Sequence, residues 1–132
     1  MSFVTGDQIV AHLVGDFFLQ SDFMAVNKKE RILPCLAHVL SYAVPFIFLA
    51  PSLLAMLVII GSHFVIDHWD LPQRAIWAKN WLLSPPSERK TWESCSFTGM
   101  SPDRQVWLTM WIMIIVDNTF HIIINALALK WL

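Results

Sequence analysis

His12 and Asp16 stand four residues apart, His63 and Asp67 stand four apart, and Asp117 and His121 repeat the spacing in reverse order. Residues at i and i+4 lie one turn apart on the same face of a helix. Three stretches therefore each offer one imidazole and one carboxylate from a single face, and His38 adds an imidazole from a fourth. Mixed imidazole and carboxylate ligation suits a divalent metal, zinc first, with manganese or iron as the other fits. The two cysteines lie in no metal-type spacing, which disfavours a soft-metal site. The seven candidate ligands are His12, Asp16, His38, His63, Asp67, Asp117 and His121. They outnumber the roughly four that one zinc takes, so two metals, or one metal with a surrounding layer of hydrogen-bonding groups, fit the count better. Asp16 is also the candidate catalytic residue, as a general base. Gln20, on the face of Asp16, is a candidate supporting or substrate-facing group, and His68 and Asn118 are candidates for the supporting layer. Any single pair read alone is a local hydrogen bond or a helix-packing contact. The recurrence on several stretches is what favours a shared site.

The elements that must carry these residues are helices. The apolar runs are too long for strands, and no period-2 alternation persists. Of the 132 residues, 56% are hydrophobic and 14% charged, with a mean hydropathy of +0.55. A soluble domain has roughly 45–50% apolar and about 25% charged residues. With nine basic residues, ten acidic and a net charge of -1, no basic excess is present to neutralise phosphates, so no nucleic-acid partner is expected. The reading is an all-α, small polytopic membrane helix bundle, one domain over residues 1–132 with the lipid bilayer as partner. Four helices are expected, over about 6–26, 34–49, 52–69 and 103–131. Seven tryptophans against one tyrosine suit the membrane interface. Positions 1–7 show no basic n-region, so the first helix is expected to stay in the mature protein.

The long third connection, over 70–102, is expected to be more than a linker. Pro72 to Leu83 would form an interfacial helix, with Ile76, Trp77, Trp81 and Leu82 toward lipid and Arg74 and Lys79 toward water. Eight of the nine basic residues fall between helices one and two or between helices three and four. If all four helices cross, both basic loops face the cytoplasm. Buried charge is then informative, because an Asp at the centre of a membrane helix costs about 2.5–3.5 kcal/mol on insertion scales. Asp16, Asp67 and Asp117 require a shared compensation, and a metal ion would supply it.

The run His12-Leu13-Val14-Gly15-Asp16-Phe17-Phe18-Leu19-Gln20, followed by Met24-Ala25 and Asn27-Lys28-Lys29, resembles the opening motif of the Domain of Unknown Function 3307 family. Leu36-Ala37-His38, His63-Phe64-Val65-Ile66-Asp67, and Asp117-Asn118 with His121 resemble its later segments. Asn118 stands where many members would have Gln. The resemblance implies a small bacterial or phage membrane protein, and so a multi-pass place in the bacterial inner membrane. It names no reaction. Three functional readings stay open. One is a metal-dependent hydrolase of a lipid-like or amphipathic substrate. Another is a non-enzymatic phage or bacterial membrane interaction protein with a structural metal or hydrogen-bond network. The third is a small ion or solute conduit, which calls for a homo-oligomer because four helices alone rarely enclose a pathway.

Overall fold

The computed structural model describes residues 3–132, and among these no strand occurs. The chain opens with α1, Gly6–Leu13. Thr5 starts it through a capping box, its hydroxyl accepting from the Gln8 N–H while the Gln8 side chain accepts from the Thr5 N–H. A π turn, Val14–Phe18, follows without a break and ends with the Leu19 N–H bonded to the Val14 carbonyl at 3.0 Å. Ser21 then caps the short α2, Asp22–Asn27. The expected single helix over 6–26 is thus an α-helix, a π turn and a separate short helix. Gln20 and Ser21 lie in the break.

Helix α3 spans Ile32–Ile47, with Pro34 in its first turn, where a missing N–H costs nothing. Ser52 caps α4, Leu53–His68, by accepting from the Ala55 N–H. Asp70 takes a left-handed conformation (φ 52°) and turns the chain into α5, Leu71–Leu83. A 3-10 turn at Pro86–Glu88 and the single-turn α6, Trp92–Cys95, precede the 26-residue α7, Val106–Trp131. Of the four spans expected, α7 is the one long and apolar enough to cross a membrane by itself, whereas α3 and α4 have 16 residues each.

The chain forms two compact units. One holds the residues up to Trp69 together with His121–Leu132, and the other holds Asp70–Phe120. The apolar core of the first is small. Tyr42, Phe46 and Ile59 are fully buried, with Ala11, Ala55 and Ala128 filling between them. Gly15 lets the π turn approach α3, since a Cβ there would lie 2.7 Å from the Tyr42 carbonyl oxygen. The same interior also holds a polar group: His12, Asp16, His38, His63, Asp67, His121 and Asn125 are all buried. The outside of the same unit is apolar, with Phe18 83% exposed and Phe48 87% exposed.

In the second unit, Gly99 (φ +80°) folds the chain against α5, where a Cβ would lie 2.8 Å from Ile76 and would overlap the Gln73 carbonyl. Ile76 is consequently buried and Trp77 half-buried, its indole N–H donating to the Lys90 carbonyl at 3.1 Å. The expected outward face of α5 is therefore smaller, with Trp81 and Leu82 exposed and Ile76 turned inward. Arg74 lies 4.6 Å over the Trp92 ring.

Candidate metal centre

Four side chains from three stretches converge in the first unit. Asp16 comes from the π turn, His38 from α3, and His63 and Asp67 from α4. The π turn adds a residue to one helical turn, a feature that occurs often where a side chain must be aimed inward. Asp16 stays beside His12, as their i, i+4 spacing predicts: the His12 Nε2 stands 3.9 Å from the Asp16 Oδ2.

The donor atoms meet at close range. The Nε2 of His38 lies 3.2 Å from the Asp16 Oδ1, 3.1 Å from the Asp67 Oδ2 and 2.9 Å from the Nε2 of His63. The His63 Nε2 lies 3.6 Å from the same Asp16 oxygen and 3.2 Å from the same Asp67 oxygen. With metal–ligand bonds of about 2.0–2.1 Å, neighbouring donors stand about 2.9 Å apart at right angles and about 3.4 Å apart in a tetrahedron. The observed separations fall around that range, so these four residues could hold one metal ion. Their side chains are at most 5% exposed. Two imidazole nitrogens at 2.9 Å cannot both present lone pairs to each other without a proton or a cation between them.

The rings are oriented mainly by packing. Both Nδ1 atoms of His38 and His63 are buried without a hydrogen-bond partner, whereas a metal-bound histidine usually donates its other N–H. His63 is held between the Tyr42 ring, with centroids 3.7 Å apart, and the His121 ring, stacked at 4.0 Å.

The other candidates from the sequence occupy different places. The His121 Nε2 lies 3.2 Å from the second oxygen of Asp67, and so orients that carboxylate. His12 bonds through Nδ1 to the Tyr42 hydroxyl at 2.9 Å. His68 donates from Nδ1 to the Lys28 carbonyl at 2.9 Å and fixes the backbone where Lys28 starts. Gln20 is half-buried, with its Oε1 enclosed and unpaired. Asn118 donates to the Ile114 carbonyl of its own helix at 2.7 Å. Asp117, one turn before His121 on α7, is partly buried and belongs to the second unit.

Three residues join the site that the spacing argument did not single out. The Lys28 ammonium sits 2.7 Å from the Asp67 Oδ2, the oxygen that faces both imidazoles. The Tyr42 hydroxyl accepts from the Asn125 amide at 2.6 Å. Tyr42 follows His38 by four residues and Asn125 follows His121 by four, so the i, i+4 rule, carried one turn further, points to both. Lys28 has only its place in the Asn27-Lys28-Lys29 segment as a signal.

Fold and site together define an all-α protein with a buried His/Asp nest able to hold a metal ion. The chain belongs to the family described as protein of unknown function (DUF3307), whose pattern it matches over residues 4–131. Comparison with curated proteins and with solved structures gave no match.

Proposed function

We propose that this is a bacterial inner-membrane protein that carries one divalent ion, zinc before manganese or iron, among Asp16, His38, His63 and Asp67. The carrying observation is the convergence of two imidazole nitrogens and two carboxylate oxygens on one point, at 2.9 to 3.6 Å from one another along the paths given above. The membrane part of the reading is supported by α7 and by the buried ionisable side chains and apolar exterior of the first unit. A soluble domain of this size buries its apolar side chains and exposes its ionisable ones, whereas in lipid the ionisable groups turn inward and pair. His121 joins the proposed polar lining, with both basic loops on the cytoplasmic side.

Metal analysis of the full chain purified in mild detergent tests this. The expected content is close to one equivalent, lost in His63→Ala and in Asp67→Asn. Less than about a tenth of an equivalent of any transition metal after metal-replete expression would sink the proposal.

A metal-dependent hydrolase of a lipid-like substrate is the second reading, and Lys28 is the observation that favours it. Its ammonium is partly exposed and stands against a candidate ligand, where it would stabilise negative charge developing on an ester or phosphoryl oxygen. A bound divalent ion would supply Lewis acidity, and Asp16 would be a ligand or the general base. Four protein ligands and no exchangeable fifth would leave a structural metal. An open position would favour the enzyme.

A further inference from the structure

The second unit contains a cavity of about 710 Å³ that the metal site does not use. That volume lies in the range of small-molecule sites, which run from about 300 to 1,000 Å³. Its wall is chemically mixed. Trp77 and Trp81 of α5 and Leu108 and Ile112 of α7 give it apolar surface. Arg89, Lys90 and Arg104, with Ser84, Ser87 and Ser101, give it polar groups.

The cations are not equivalent. Lys90 is 3.4 Å from Asp103, which also accepts from the Ser101 hydroxyl at 3.1 Å, so lysine and aspartate largely answer each other. Arg89 is held differently: its guanidinium lies 4.3 Å over the Trp81 ring and its Nε donates to the Ser84 carbonyl at 3.3 Å. Arginine has five N–H donors. Those two contacts leave its terminal nitrogens with donors for a planar, two-point bond to an anion, which is the geometry of phosphate recognition. Arg104 lines the same cavity and is exposed. Glu88 is the remaining acid of the lining. Around this cavity the unit exposes Leu82 (68%) and Leu83 (79%), next to Trp81 in sequence, and Trp107 (63%) and Trp111 (61%), which flank Leu108 and Ile112 on α7. Tryptophan at that density belongs at the level of lipid headgroups.

We propose that this cavity is a binding site for the phosphate headgroup of a phospholipid, with Arg89 and Arg104 on the phosphate and Trp77, Trp81, Leu108 and Ile112 against the glycerol and upper acyl chains. The site is independent of the metal reading, since none of its residues belongs to the nest.

The test uses the full chain in mild detergent, titrated with short-chain phosphatidylglycerol and followed by tryptophan fluorescence and calorimetry. Saturable binding is expected, weakened about tenfold or more in the double variant Arg89→Gln/Arg104→Gln, as the loss of charge-assisted hydrogen bonds requires. An alkyl maltoside of the same chain length should bind weakly and equally to both proteins. Equal binding of phosphatidylglycerol by wild type and variant would overturn the proposal. Equal affinity for the maltoside would overturn it too, by showing an apolar groove only. Competition by inorganic phosphate at the lipid's own concentration would replace it with a free-phosphate site. If circular dichroism shows the double variant unfolded, Arg104→Gln alone, on the exposed rim, carries the same comparison with a smaller expected loss.

Discussion

The Nε2 atoms of His38 and His63 face each other at 2.9 Å, from helices that meet side by side, with an oxygen of Asp16 and an oxygen of Asp67 beside them. A shared proton satisfies that pair once, whereas a divalent ion satisfies both nitrogens and both carboxylates together. Removing either ring should therefore abolish metal retention. His38→Ala and His63→Ala are expected to lose at least about 2–3 kcal/mol of metal affinity, one ligand of a four-ligand site being a large share of its apparent binding energy. His12→Gln, whose Nε2 is 3.9 Å from Asp16 and outside the four-donor group, should lose much less. Competition with a chelating dye measures the difference. Equal losses at His12 and His63 would show that the four-donor group is not the site.

Lys28 and the proposed ion share one oxygen of Asp67. The two positive charges repel, and the ammonium also takes a lone pair of the ligand. Lys28→Met should therefore tighten divalent binding by about tenfold, at a working dielectric for partly buried charges. It should also destabilise the metal-free protein, because Asp67 would keep its buried charge with one cation fewer. Thermal unfolding with and without added zinc reads both effects, and the gap between the two curves should widen. A narrowed gap would mean that Lys28 helps to hold the metal.

How far the sequence reaches is visible in individual residues. The i, i+4 rule finds His63 with Asp67 because α4 is regular through both. It also finds His12 beside Asp16, at 3.9 Å, but nothing in Val14-Gly15-Asp16-Phe17-Phe18 announces the π turn that carries Asp16. Gly15 is the visible trace of the close approach to Tyr42, yet a glycine alone does not say which helix approaches. Lys28 reads as a loop charge that sets topology. Its contact with Asp67 crosses 39 positions of chain and arises only once α2 and α4 both pack on α3. Ile76 reads as lipid-facing on the helical period of α5 but is covered by Gly99, whose left-handed turn the sequence does not disclose.

Gly15 links packing to the site. A Cβ at this position would lie 2.7 Å from the Tyr42 carbonyl oxygen and 3.1 Å from its Cα, and backbone cannot move aside as a side chain can. Gly15→Ala should push the π turn away from α3, at roughly 1–3 kcal/mol of overpacking. Asp16, the next residue, would move away from His38 with it. The expected outcome is a lower Tm together with weaker metal binding. An alanine variant with wild-type metal affinity would show that Asp16 is not among the ligands.

Asp103 provides a pH test outside the helices. The Ser101 hydroxyl, then the Lys90 ammonium, hold its carboxyl below the usual carboxylate range. A depressed folded value means the contribution is present above the usual pKa and disappears as pH falls through the folded one. Carboxyl NMR titration should show Asp103 ionised below about 3.9. In Lys90→Gln the value should rise but stay depressed, since the Ser101 hydroxyl remains. Ser101→Ala should raise it as well.

Tyr42 separates stability from ligation. Its hydroxyl accepts from Asn125 at 2.6 Å and meets the Nδ1 of His12 at 2.9 Å, and the residue is wholly buried. Tyr42→Phe keeps the ring that packs on His63 and leaves two buried polar groups without that partner, at about 1–3 kcal/mol each. Stability should fall clearly, while metal affinity should change little, because the hydroxyl is not one of the four donors. Replacing Asn125 by Leu as well removes one of the stranded groups, so the pair Tyr42→Phe/Asn125→Leu should be more stable than Tyr42→Phe alone. Denaturant unfolding of the four proteins of that cycle gives the coupling directly. A coupling near zero would mean that the 2.6 Å bond contributes nothing beyond its desolvation.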